Sequence, residues 1–271
     1  MSVIAEMFSY PFLVRALAGG LLVSLCASLL GVSLVLRRYS MIGDGLSHVS
    51  FGALSVALAM GWSPLKVSIP VVVVAAFFLL RITENARVKS DAAIAMISAS
   101  ALAIGIIITS MTTGMTTDVS SYMFGSILAM SREDVILSVV LSAAVLILFV
   151  ACYHKLFAVT FDENFAKATG VKVDRYNVMI AVLTAVTIVL GMRMMGAMLI
   201  SSLVIFPALT SMQVFKSFRG VVLCSGALSA VCFFLGMTAS YQLSTPAGAS
   251  VVVVNLAAFL LFGAYRAVVR R

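Results

Sequence analysis

Two metal-binding residue types meet inside an apolar stretch of this sequence. Gly43-Asp44-Gly45-Leu46-Ser47-His48-Val49-Ser50-Phe51-Gly52 sets Asp44 and His48 four residues apart, which on a helix puts carboxylate and imidazole on one face. A carboxylate at bilayer depth costs about 3 kcal/mol unless it is paired or wet. Such a face therefore looks into a polar cavity or at a partner. Carboxylate oxygen with imidazole nitrogen suits zinc, manganese or iron in the divalent state, whereas calcium and magnesium take oxygen ligands. A second reading fits the same residues: Asp44 caps a helix just after Arg37 and Arg38, and His48 is a satisfied interior histidine. Ser47 and Ser50 bring more polarity than a cap requires, and the face continues at Phe51 and Gly52. A carrier must release its ion, so two donors per chain with incomplete coordination are enough. A twofold pair of chains would bring four donors to its axis.

The elements that must position this pair are membrane spans. The chain has 271 residues, 62% of them hydrophobic and 10% charged, with mean hydropathy +1.17. A soluble domain is nearer half apolar and a quarter charged. A span needs about 20 mostly apolar residues, and nine segments qualify or nearly so: Phe12–Leu36, Gly43–Met60, Pro64–Leu80, Ala92–Thr109, Val135–Tyr153, Tyr176–Met192, Gly196–Met212, Val221–Ser240 and Gly248–Tyr265. Continuously apolar runs such as Val71–Leu80 and Val139–Val150 argue for helices, because barrel strands alternate apolar and polar residues. The expected fold is an all-α integral membrane protein, a polytopic bundle of about nine spans. Gly43–Met60, Tyr176–Met192 and Gly196–Met212 are short enough to be re-entrant. With the N-terminus outside, 14 basic residues fall inside and four outside, the sense of the positive-inside rule. The C-terminus is then cytoplasmic. The net charge of +8 is explained by topology, so no nucleic-acid footprint is read, and lipid is the surrounding partner. Met1 to Tyr10 has neither a basic n-region nor a small-residue cleavage site, unlike a removed signal peptide.

No soluble domain remains to supply energy. The sequence has no Gly-Lys dipeptide, so a phosphate-cradling loop is absent. His-Glu-x-x-His is absent too, the histidines being His48 and His154. The chain reads as no enzyme. One inside loop, His154–Arg175, carries a short helix signature: Asp162 is a good N-cap, Glu163 suits the helix start, and Gly170 suits the stop. Phe165 and Val171 are expected to be exposed at its end. A lone helix this short is marginal in water. It either docks a cytoplasmic ATPase or rests on lipid headgroups.

At these residues the chain resembles the zinc/manganese/iron family of ABC importer permeases, over nearly its whole length. Four motifs carry the likeness: Gly43-Asp44-x-Leu46-Ser47-His48 with Gly52, Ser90-Asp91-Ala92-Ala93-Ile94, Asp162-x-x-x-Ala166-x-x-x-Gly170, and Gly196-x-x-Leu199-x-x-x-Leu203-x-x-x-Pro207-Ala208. Leu209-Thr210-Ser211 departs from it, standing where many relatives have smaller residues. The resemblance implies one permease domain over 1–271 whose pathway is lined by Asp44, His48 and Ser47, with Asp91 at the cytoplasmic mouth and Asp44 and His48 touching the metal. It implies a coupling helix near 162–170, engaging the ATPase through Asp162, Phe165, Ala166 and Gly170. It also implies a homodimer of permeases in a prokaryotic cytoplasmic membrane, with no permanent cofactor and with ATP hydrolysed by separate cytoplasmic subunits. An extracytoplasmic metal-binding protein would deliver the ion, meeting Asp118, Glu133 and Asp134 of the long Ser110–Asp134 loop. Zinc is the favoured cargo, ahead of manganese or iron.

Other features read as packing. Met192, Met194, Met195 and Met198 cluster near Arg193; thioethers suit copper(I), but Met is also an ordinary gap-filler. Cys26, Cys152, Cys224 and Cys232 form no Cys-x-x-Cys and read as packed thiols. Asn255 is expected to hydrogen-bond across a helix interface. Two competing functions remain: a permease for an iron chelate or vitamin, which would not need Asp44 and His48, and a stand-alone secondary transporter, which would carry repeats and broken helices in both halves.

Overall fold

The computed structural model describes residues 9–84, 90–112 and 132–269. Among them are eleven helices and no strand: α1 (Pro11–Leu36), α2 (Ile42–Ala59), α3 (Pro64–Glu84), α4 (Ser90–Met111), α5 (Arg132–Ala151), α6 (Tyr153–Phe161), α7 (Glu163–Ala168), α8 (Val173–Met195), α9 (Ala197–Val214), α10 (Phe218–Leu243) and α11 (Ala247–Val269). Each apolar segment read from the sequence is a helix. The all-α membrane fold follows, since a chain in lipid must satisfy its backbone within each segment.

The expected count of about nine spans is slightly high. Seven described helices are long and apolar enough to cross a bilayer, or eight if α5 and α6, bent by 71° at their break, form one span. Among the described residues the apolar stretch of α3 is Pro64–Leu79, and the helix carries Pro70 inside. The three segments flagged as short give α2, α8 and α9, and all three pass the length and composition test.

At the centre, α8 packs on α1, α2, α3 and α9, and α1 is further flanked by α5, α9 and α10. On one flank α4 leans on α2 and α3; on another α11 leans on α9 and α10. In both α4 and α11 only 17% of the apolar window is buried, so these helices present wide apolar faces outward. Lipid gives no hydrophobic drive between helices, so close approach of small residues does the holding. A Cβ on Gly52 would sit 2.7 Å from the Ala101 carbonyl oxygen, and one on Gly105 would sit 2.7 Å from the Phe51 ring. That seam clamps α2 to α4.

The connection from α1 to α2 is tight. The Arg38 N–H donates to the Val35 carbonyl and the Tyr39 N–H to the Leu34 carbonyl, the paired bonds of a Schellman ending. Arg38 occupies its left-handed position with φ +62°, where glycine is usual and another residue costs about 1 kcal/mol. The Ile42 N–H then donates to the Tyr39 carbonyl, so α2 starts with no slack.

Candidate functional site

Asp44 is the third residue of α2, and the N-cap is Met41, which makes no side-chain cap bond. The cap reading of Asp44 therefore fails, although a first-turn carboxylate still suits the positive end of the helix. Its Oδ2 lies 3.7 Å from His48 Nε2, with the Asp44 side chain 44% exposed and that of His48 18% exposed. Two donors each about 2.1 Å from one ion stand about 3.0–3.4 Å apart in octahedral or tetrahedral geometry. The observed gap closes with a small side-chain rotation. Among the described residues no group of three or more His, Cys, Asp or Glu gathers to hold a metal. One chain thus offers two donors and leaves the rest of a coordination shell to water, cargo ligands or a second chain.

Ser47 does not share this open face. It is fully buried, and its hydroxyl donates to the Asp44 carbonyl at 2.7 Å. Ser50 and Phe51 are buried as well, and Gly52 is spent on the seam with α4. The exposed polar face of α2 narrows to Asp44 and His48. Asp91 is the second residue of α4, a first-turn acid at the helix that clamps α2.

The short helix expected near 162–170 forms as α7. Asp162 accepts from the Phe165 N–H at 2.9 Å, and Gly170, at φ +83°, closes a Schellman ending in which its N–H bonds Lys167 and the Val171 N–H bonds Ala166. Ala166 is buried against Val159 and Val173, whereas Phe165 is 63% exposed. Val171 is not exposed as expected: it is half-buried and packs on the same apolar group, because the Schellman turn folds it back onto the helix. Gly170→Ala should cost about 1 kcal/mol at this left-handed position without a clash, since no atom lies within 4 Å of the added carbon. Faster amide exchange confined to residues 163–171 would register it.

Sequence reasoning missed what Glu163 does. Its carboxylate forms an ion pair with Arg37 at the end of α1 and accepts from Asn177 Nδ2 of α8 at 3.2 Å. The sequence carries no signal for this contact beyond a first-turn acid.

Other readings sort themselves. Met192, Met194 and Met195 are buried, with the Met194 and Met195 methyls against Gly19 and Gly20, so they fill the core. Asn255 does not bridge helices: its amide donates to the Val251 carbonyl one turn back at 2.9 Å, which satisfies a buried donor without a neighbour. Glu133 is exposed near the start of α5, whereas Asp118 and most of the expected delivery-protein loop lie outside the described residues.

Comparison with known proteins agrees with this architecture. The model of the ABC 3 transport family matches residues 9–266. The manganese import system permease protein ScaB of Streptococcus gordonii is 30% identical over 258 residues, covering 95% of this chain and 92% of that protein. The high-affinity zinc uptake system membrane protein ZnuB of Haemophilus influenzae is 27% identical, covering 93% and 97%. The solved structure of PsaBC from Streptococcus pneumoniae in complex with Fab superposes with TM-score 0.84 at 30% identity, covering 96% of this chain and 95% of that chain. A metal-chelate type ABC transporter in an inward-facing conformation shares the fold, with TM-score 0.76 at 16% identity. The chain belongs to the ABC 3 transport family and is a multi-pass permease of the metal-type ABC importers.

Proposed function

We propose that this chain carries divalent zinc or manganese into the cytoplasm, with Asp44 and His48 as the donors that the ion meets on its way. The observation that supports this best is the carboxylate and imidazole 3.7 Å apart on one open helical face. A dry structural pair would be buried, and a plain cap would sit at Met41. Oxygen and nitrogen donors serve zinc, manganese and iron(II) alike, and the relatives compared above are named for manganese and for zinc. The chelate reading has less support, because the chelate-type structure shares only the fold and a chelate would not need this donor pair.

Two copies of the chain would face their Asp44–His48 pairs across a twofold axis and complete the shell. ATP hydrolysed by separate cytoplasmic subunits would drive alternating access, with exposed Phe165 of α7 as the contact and Asp162, Ala166 and Gly170 holding that helix in shape. An extracytoplasmic metal-binding protein would deliver the ion at the opposite face. The distribution of basic residues argues for the α7 loop and the C-terminus in the cytoplasm and the N-terminus outside, which would need an odd number of crossings. Nine crossings, with α3 and the α5–α6 pair counted, would satisfy it together with that charge distribution. Metal content of cells lacking this chain tests the reading. Under starvation for zinc and manganese in turn, one of the two contents should fall and return with the restored gene. If neither falls, the proposed import is wrong; the metal that falls identifies the cargo.

A further inference from the structure

We propose that Glu163, Arg37 and Asn177 form a clasp that delivers a displacement of α7 to α2, making Arg37 a positioning residue for the Asp44–His48 pair. This rests on the reading of α7 as the element that docks the ATPase and of α2 as the pathway helix.

Three ties hold α7 in place. The Asp162 cap holds its own first turn, and the packing of Ala166 on Val159 and Val173 joins it to α6 and to the first residue of α8. The third tie alone reaches α1. Glu163, the first residue of α7, pairs with the Arg37 guanidinium, whose side chain is only 8% exposed. The same carboxylate receives the amide of Asn177, itself buried in α8. One carboxylate therefore links the short helix to the end of α1 and to the central helix of the bundle.

From Arg37 the path to the donor pair is short and stiff. Arg37 is the C-cap of α1, and its guanidinium lies 5.8 Å from the centre of the Tyr39 ring. Tyr39 is bonded back to Leu34 and forward to Ile42, the first residue of α2. Asp44 stands two residues beyond Ile42. The Schellman turn leaves no slack in the linker to absorb movement before it reaches the first turn of α2. The other charged groups facing the clasp are Lys167 and Asp174, which share with it an open recess of about 470 Å³. Water admitted to that open recess would let the clasp shift without stranding a charge in lipid.

Two measurements on full-length protein test this. The first is amide exchange of the chain in lipid nanodiscs. Arg37→Gln should raise exchange at residues 45–48, the first amides of α2 in helical hydrogen bonds, by about tenfold, the size of a typical coupling between sites. The second is uptake of labelled zinc and labelled manganese per ATP hydrolysed, in liposomes holding the chain with its ATPase and its delivery protein. The same variant should lower that ratio by about tenfold, and the exchanged pair Arg37→Glu with Glu163→Arg should recover much of both effects. Exchange that rises only within α7, or a reversed pair no better than the single variant, overturns the clasp. Wild-type chain that moves neither metal with ATP overturns the proposed function instead, and the exchange measurement then decides the clasp alone.

Discussion

Asp44→Ala and His48→Ala should each lower metal uptake by at least about tenfold, the scale on which even an outer-shell partner changes metal affinity. The fold should survive both. The Asp44 side chain is 44% exposed and its contact with His48 is a loose 3.7 Å, so truncating it opens no cavity in the packed interior and the melting temperature should stay close to that of the wild type. The His48 side chain is only 18% exposed, so its truncation should lower the melting temperature modestly. Asp44→Asn separates charge from shape: it keeps the side chain's size and one carbonyl oxygen, but removes the negative charge that draws a cation to a site at bilayer depth. It should behave like Asp44→Ala. Ser47→Ala makes the opposite case. That hydroxyl is buried and bonded to its own helix, so most uptake should remain. Initial uptake rates of labelled zinc and manganese, with the amount of assembled transporter checked in parallel, decide it. Uptake left intact in both Asp44→Ala and His48→Ala removes the pair from the pathway. Strong loss in Ser47→Ala would mean that the ion passes on a different face of α2 from the one exposed here.

The same residues show what a sequence can and cannot reveal. Local features were legible. The spacing of Asp44 and His48, the Asp162 cap and the Gly170 stop all act within one or two helical turns, and all formed as expected. The nine apolar segments became helices because lipid tolerates little else. What failed to show depended on neighbours distant in sequence or on rotation about a helix. Ser47 lies one residue from His48, yet a single step around α2 turns it from the open face into packing. Glu163 read as a favourable first-turn acid, and nothing near it in the sequence names Arg37. Asn255 was assigned a partner on another helix, but a buried amide in lipid can bond its own preceding turn at no cost in register. The span count slipped for a related reason: composition finds the end of α5, while the 71° bend between α5 and α6 is a property of the folded chain.

The closest approach at a described glycine carries the other large effect. A Cβ on Gly31 would stand 2.0 Å from the Val204 carbonyl oxygen and 3.1 Å from its Cα. Both obstacles are backbone, so no side-chain rotation relieves them; α1 and α9 must separate by about 1 Å, and a close-packed interior transmits such a shift rather than absorbing it. Gly31→Ala should therefore cost about 3 kcal/mol, seen as a fall in melting temperature and in the yield of assembled chain. Because α9 also packs on α2, the pathway helix would be displaced and uptake would fall with stability. Two other glycines grade the explanation. At Gly191 the added carbon meets the Ile200 side chain, its Cδ1 at 2.3 Å and its Cγ1 at 2.7 Å, and a side chain yields more readily than backbone, so Gly191→Ala should cost less. At Gly226 the nearest atoms are Leu methyls at 3.6 and 3.8 Å, ordinary contact, and alanine is the better helix former by about 1 kcal/mol. Gly226→Ala should leave the melting temperature unchanged or raise it. Three equal losses would mean that glycine serves these helices by flexibility. The order Gly31, Gly191, Gly226 would mean that it serves them by letting backbones touch, which is how helices hold together where the solvent is as apolar as they are.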